Sequence, residues 1–236
     1  MTICFEASTD EYHIPETPIL LRCLQRLEIQ SCLVDPSEIL EAITTPSLRQ
    51  LYTSFWNKGL PVHSFNSFIN RSNCNLEALW LSGSITGDGE LATAILKYLP
   101  SSLKKLSLKP GPDLDTNPRP WLTEEVWELL KSPRNSRDAF EHCFFPNLEY
   151  FQYDGRQTFS WPDLIGTFFD SPSAVAPLSS YRLQTLDITV AQDEYLIPID
   201  PNTLRIIHEL QGSGFEITIM QRGMTWSSSH HGLHTR

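Results

Sequence analysis

The chain has 236 residues, of which 40% are hydrophobic and 11% aromatic, and a formal net charge of −10. That is enough apolar material for one or two cored domains. The acidic balance argues against general affinity for nucleic acid or an anionic membrane, since either needs a basic surface.

Residues 1–6 show no basic stretch followed by an apolar run, so no secretory signal is expected. No run approaches the roughly 18 apolar residues of a membrane span. Cys4, Cys23, Cys32, Cys74 and Cys143 are scattered without a CxxC, which suits neither a zinc site nor a disulfide framework. The expectation is an intracellular, reduced protein, cytoplasmic or nuclear.

Residues 1–23 read as an irregular N-terminal segment or the remnant of a preceding repeat, with a strand fragment at 2–5. At Leu24 a pattern begins: Leu24, Leu27 and Ile29, followed by Cys32. Five copies lie under its first half: Leu48-Leu51-Thr53, Leu76-Leu79-Leu81, Leu103-Leu106-Leu108, Leu148-Phe151-Tyr153 and Leu183-Leu186-Ile188. Phe215-Ile217-Ile219 is a weaker last one. The first steps, 24, 28 and 27 residues, fall in or near the roughly 20–29 residues of a leucine-rich repeat. The next two, 45 and 35 residues, need insertions.

Within each copy the fourth and sixth positions are apolar and their neighbours mostly polar. That period of two sends alternate side chains to opposite faces of a strand. Pro46, Pro100 and Pro146 stand two or three residues before the first leucine of their copies. Proline halts a preceding helix and favours extended backbone before it.

Helical returns are expected between the strands. Asp35 caps the first, with Pro36 at its first position, Glu38 as the capping-box acid and Ile39, Leu40 and Ile43 on one face. Residues 61–71 follow with Phe65, Phe68 and Ile69 on one side, and then Leu91, Ile95, Leu96 and Leu99. An insertion spans 109–146. It holds a turn-rich stretch, a helix opening at Thr123 with Glu124 and Glu125 in its first turn, and a basic loop at 131–137. Ser160 caps the next helix, carrying Leu164, Ile165, Phe168 and Phe169 inward. Asp200-Pro201 opens the last, and Gly212-Ser213-Gly214 ends it. Residues 223–236 read as a polar, disordered tail.

The resulting architecture is α/β: a leucine-rich-repeat solenoid over residues 24–222, with parallel strands on the concave side and helices on the convex side.

The sequence offers little for catalysis. Gly87-Asp88-Gly89 and Gly212-Ser213-Gly214 match no phosphate loop. Asp113 and Asp115 sit in a Pro/Gly loop. His230, His231 and His234 lie in the tail, without the fixed geometry a metal needs. His63, His142 and His208 accompany no local nucleophile signature. The sequon Asn70-Arg71-Ser72 is expected to go unused. The chain is therefore read as no enzyme, with no metal and no cofactor.

What remains is the outward strand face: Arg26, Glu28, Gln50, Tyr52, Trp80, Lys105, Tyr150, Gln152 and Asp187, with Ala78, Ser107 and Thr185 in the same rows. A tryptophan flanked by tyrosines is the composition of a protein-binding hot spot. Lys105 and Lys109 would suit an acidic or phosphorylated peptide. The competing reading is that Tyr52, Trp80 and Tyr150 pack on one another and bind nothing.

Residues 17–29, 68–81, 98–106, 145–151 and 181–188 together resemble the repeats of fungal F-box proteins with leucine-rich repeats. In that family an N-terminal F-box docks on a Skp1-type adaptor of a ubiquitin ligase, and the repeats hold a protein substrate. The Leu-Pro-rich F-box helices are not found in this chain. The resemblance therefore implies recognition of an unknown protein substrate, and an adaptor only where a longer form carries an F-box. Two other readings stand beside it. One is a regulator of an enzyme, such as a GTPase-activating repeat protein, for which Arg119, Arg134 and Arg137 are the clustered candidates. The other is a truncated fragment without independent function.

Overall fold

The computed structural model describes residues 2–5, 17–31, 36–55, 61–83, 90–110, 122–130, 145–169, 183–190, 197–221 and 224–226. Its main sheet contains β1 (Thr2–Phe5), β3 (Arg26–Ser31), β5 (Gln50–Phe55), β6 (Ala78–Gly83), β7 (Lys105–Pro110), β8 (Tyr150–Gly155), β9 (Thr185–Val190), β10 (Glu216–Gln221) and β11 (Met224–Trp226). They stand in that order across the sheet. Each pair from β1 to β10 is parallel, and β11 returns antiparallel along β10.

Within this sheet the strands stand in chain order, because a helix carries the chain from one strand to the next along the same face in every unit from β3 to β10. The helices are α1 (Pro36–Ala42), α2 (Val62–Ser72), α3 (Glu90–Leu96), α4 (Glu124–Leu130), α5 (Trp161–Phe168) and α6 (Pro201–Gly212). Each contacts its successor. Together they cover one face of the sheet.

The register follows the leucine pattern. Leu27 stands beside Leu51, then Leu79, Leu106, Phe151, Leu186 and Ile217. Ile29, Thr53, Leu81, Leu108, Tyr153, Ile188 and Ile219 form the second rank. All of these are buried, and all but Thr53 belong to one apolar cluster with Leu40, Phe65, Phe68, Ile95, Val126, Leu164 and Phe168 from the helices. A one-residue slip would turn each rank to the other face, so burial pins the register.

The turns before the strands also repeat. The amides of Leu24, Leu48, Leu103 and Leu148 donate to the carbonyl three residues earlier, at 3.1–3.3 Å. Next to each turn, one carbonyl accepts two amides of the following unit: Gln25 from Arg49 and Gln50, Arg49 from Glu77 and Ala78, Glu77 from Lys104 and Lys105. Lys104 and Glu149 do the same further on. These shared carbonyls carry the parallel ladder past the strand ends and leave few backbone groups unmet.

Helix starts follow from their caps. The Ser160 side chain accepts from the Asp163 amide, and Asp200 accepts from Asn202 and Thr203. Thr123 accepts from the Val126 amide at 3.4 Å. The expected cap Asp35 lies outside the described residues.

The structure departs from the expected elements in three places. Ile43 leaves the first helix and joins β4 (Ile43–Thr44), paired with β2 (Ile19–Leu20) in a separate two-stranded sheet. Arg71 underlies this change. Its Nη2 donates to the carbonyls of Leu40 and Ile43 at 2.6 and 2.9 Å, drawing off the end of α1. Leu99 lies beyond α3 yet remains buried. Met224–Trp226 forms β11, where the sequence suggested the start of a disordered tail. Residues 227–236 lie outside the described residues.

Candidate interaction face

The face of the sheet opposite the helices carries the residues singled out from the sequence. Arg26, Gln50, Ala78, Lys105, Tyr150 and Thr185 share one rank. Glu28, Tyr52, Trp80, Ser107, Gln152 and Asp187 share the next. Parallel strands lie about 4.8 Å apart, so each rank is a row of neighbours and not a scatter of sites.

The row has an aromatic end. The Tyr52 and Trp80 rings stack with centroids 3.9 Å apart and planes 5° from parallel. The Arg26 guanidinium lies 4.2 Å from the Tyr52 centroid, on the side of β3. Glu28 accepts from Gln30 at 2.8 Å and meets Arg26 at 3.5 Å. Tyr150 stands on β8, two strands beyond Trp80 and in the other rank, so the expected mutual packing of three aromatic rings reduces to one pair.

The other end is polar and connected. Ser107 Oγ donates to Gln152 Oε1 at 2.7 Å, and Gln152 Nε2 donates to Asp187 Oδ2 at 2.9 Å. Asp187 Oδ1 is buried and has no hydrogen-bond partner among the described residues. Burial raises the Asp187 pKa, with the Gln152 hydrogen bond opposing and the nearby Asp154 charge reinforcing the rise. Burial, and then the Asp187 charge, raises that of Tyr150.

Two expectations about this face change. Ala78 and Ser107 sit in outward rows but are 4% and 6% exposed, because their short side chains lie below larger neighbours. Lys109 is not free to serve an acidic peptide: its ammonium meets Asp154 at 2.9 Å. Lys105 remains exposed.

The sequence reading also stopped one rank short. Gln30, Ser54, Ser82 and Lys109 continue the outward face along β3 to β7, and Asp154 and Thr189 on β8 and β9 continue it further. Extending the period-two pattern by two residues adds Gln30, Ser54, Ser82, Asp154 and Thr189 to Lys109, which the sequence had already singled out. At the C-terminal side Glu216 joins the first rank and accepts from Thr185 Oγ1 at 3.1 Å.

Among the described residues, no group of three His, Cys, Asp or Glu side chains could hold a metal. No described helix is long and apolar enough to cross a membrane. Cys74 is buried, which raises its thiol pKa, and Cys23 is exposed. Ser72 of the sequon is buried in α2 and accepts from the Thr45 amide at 3.1 Å. The candidates Arg119, Arg134 and Arg137 lie outside the described residues, as do Cys32, Cys143, His142 and 230–234. Compared with protein families, with curated proteins and with solved structures, the chain matches none.

Proposed function

We infer that this chain is a non-catalytic protein-interaction module. It is read as a leucine-rich-repeat solenoid, strands concave and helices convex, similar to the substrate-recognition repeats of fungal F-box proteins and working in the cytoplasm or nucleus. The sequential parallel strands, the repeated turns and the aligned leucine ranks support the repeat reading. One observation carries the functional part: the sheet face away from the helices presents an aromatic pair and a polar relay side by side in a single rank. Rigid aromatic anchors beside polar groups are how protein interfaces concentrate binding energy.

The test is affinity purification of the tagged chain from its own cells, read by mass spectrometry beside a Trp80→Ala form of equal helicity. The module reading expects partners held by the unaltered chain and lost from Trp80→Ala. The same proteins retained by both forms would remove this face as the site.

A further inference from the structure

Among the described residues, the outward ranks from β3 to β10 carry three cations: Arg26, Lys105 and Lys109. Lys109 is held by Asp154 at 2.9 Å, and Lys105 is an exposed ammonium on a flexible stem. Arg26 differs from both because its plane is fixed. Its guanidinium carbon lies 4.2 Å from the Tyr52 centroid, and Tyr52 is itself stacked on Trp80 with centroids 3.9 Å apart. Cation, phenol and indole form one column across β3, β5 and β6. A guanidinium held this way has already lost much of the rotamer freedom that binding would otherwise remove.

The column leaves that guanidinium short of acceptors. Of the five N–H donors of an arginine, the described residues offer an acceptor to Nη2 alone. The acceptor is Glu28 Oε2 at 3.5 Å, beyond the roughly 2.7–2.9 Å of a charge-assisted hydrogen bond. Glu28 is held more closely elsewhere, since its Oε1 accepts from Gln30 Nε2 at 2.8 Å. Arg26 Nε is buried without a partner, whereas Nη1, equally unpartnered among the described residues, is not buried. Solvent therefore reaches the guanidinium at its Nη end, and the side chain as a whole is 42% exposed. Glu28 shows which group belongs there: a carboxylate of the same chain approaches the fork without closing on it.

We propose that Arg26 receives a carboxylate side chain of the partner protein, and that Glu28 is its placeholder. The incoming carboxylate accepts from Nη1 and Nη2 together, the bidentate geometry in which arginine binds carboxylates best. Glu28 stays on Gln30 and becomes a like-charged neighbour of the ligand. The inference rests on the interaction-module reading and specifies its partner: a segment presenting aspartate or glutamate to the aromatic end of the outward face.

The test uses the whole chain labelled with nitrogen-15 and the peptide acetyl-Gly-Leu-Glu-Leu-Gly-amide at fixed ionic strength, with glutamine or lysine in place of glutamate as controls. The buried Arg26 Nε–H is the reporter, assigned by its loss in Arg26→Lys. The expected result is a saturable shift with the glutamate peptide and none with either control. Glu28→Gln should tighten binding about threefold, the effect of removing one like charge roughly 6 Å away in water; an arginine that only braced the stack would show no such gain. Absence of a saturable shift, an equal shift with glutamine, or unchanged affinity in Glu28→Gln overturns the proposal. Partners captured equally by Arg26→Lys and the unaltered chain, yet lost from Trp80→Ala, would overturn the Arg26 contact and leave the module standing.

Discussion

The Tyr52–Trp80 stack makes a quantitative claim about the exposed face that a double-mutant cycle can test. Parallel rings at 3.9 Å contribute about 0.5–1.5 kcal/mol beyond area burial. Replacing each residue by leucine, singly and together, keeps apolar bulk and removes the stack. The expected coupling is about 1 kcal/mol. Arg26 sits on the opposite face of Tyr52 from Trp80, so its own contribution belongs to the Tyr52 single mutant and cancels in the cycle. A chain of this size has a urea dependence near the upper end of roughly 1–3 kcal/mol/M, so the coupling corresponds to about 0.3–0.5 M in the midpoint. The assay is urea unfolding followed by circular dichroism, with the fluorescence transition required to coincide. A control cycle pairs Tyr52→Leu with Leu79→Ala. Leu79 precedes Trp80 but points to the helices, so the sheet backbone separates the two sites and coupling below about 0.5 kcal/mol is expected. Coupling indistinguishable from zero between Tyr52 and Trp80, or as large between Tyr52 and Leu79, would refute this assignment of faces.

Three further outcomes follow from the same geometry. Leu79→Ala, at a fully buried rung, should cost about 2–5 kcal/mol in urea unfolding, while Ser82→Ala on the outward face of the same strand should stay within about 0.5 kcal/mol. Arg71→Ala leaves the Leu40 and Ile43 carbonyls without their guanidinium donor and should destabilise the chain by more than about 1 kcal/mol, with hydrogen exchange rising first at the end of α1. Asp200 and Asp187 should act oppositely on the pH dependence of stability. The hydrogen bonds from Thr203 lower the Asp200 pKa, so its contribution is present above the ordinary aspartate value and is lost as pH falls through the folded one. Burial raises the Asp187 pKa, so its contribution is present below the ordinary value and is lost as pH rises through the folded one. Unfolding measured from pH 7 down to pH 2 should therefore show Asp200→Asn reducing the acid-side loss and Asp187→Asn steepening it.

Much of the framework was legible because it depends on local chemistry and on a period. Apolar residues at alternate positions specify a strand and its buried face wherever they stand, and Leu24, Leu48, Leu103 and Leu148 landed on turns of the same geometry. Ser160 and Asp200 announced their helices because a cap is a contact over three residues. Ile43 misled because its apolar character suits either a helix face or a strand. The choice lay with Arg71, 28 residues away, which binds the backbone at that point. The small sheet of β2 and β4 has two residues per strand, too few for any periodic signal.

Taken alone, the amino-acid order determined which side chains face the helices and which face away, since alternation along a strand needs no knowledge of its neighbours. Only the assembled sheet decided what the outward residues do to one another. Tyr52 and Trp80 became a stack, Lys109 was taken by Asp154, and Ser107 was linked through Gln152 to Asp187. Each of these contacts joins adjacent strands 28 to 45 residues apart in the chain, and their partners are set by the strand register, which is a property of the packed sheet.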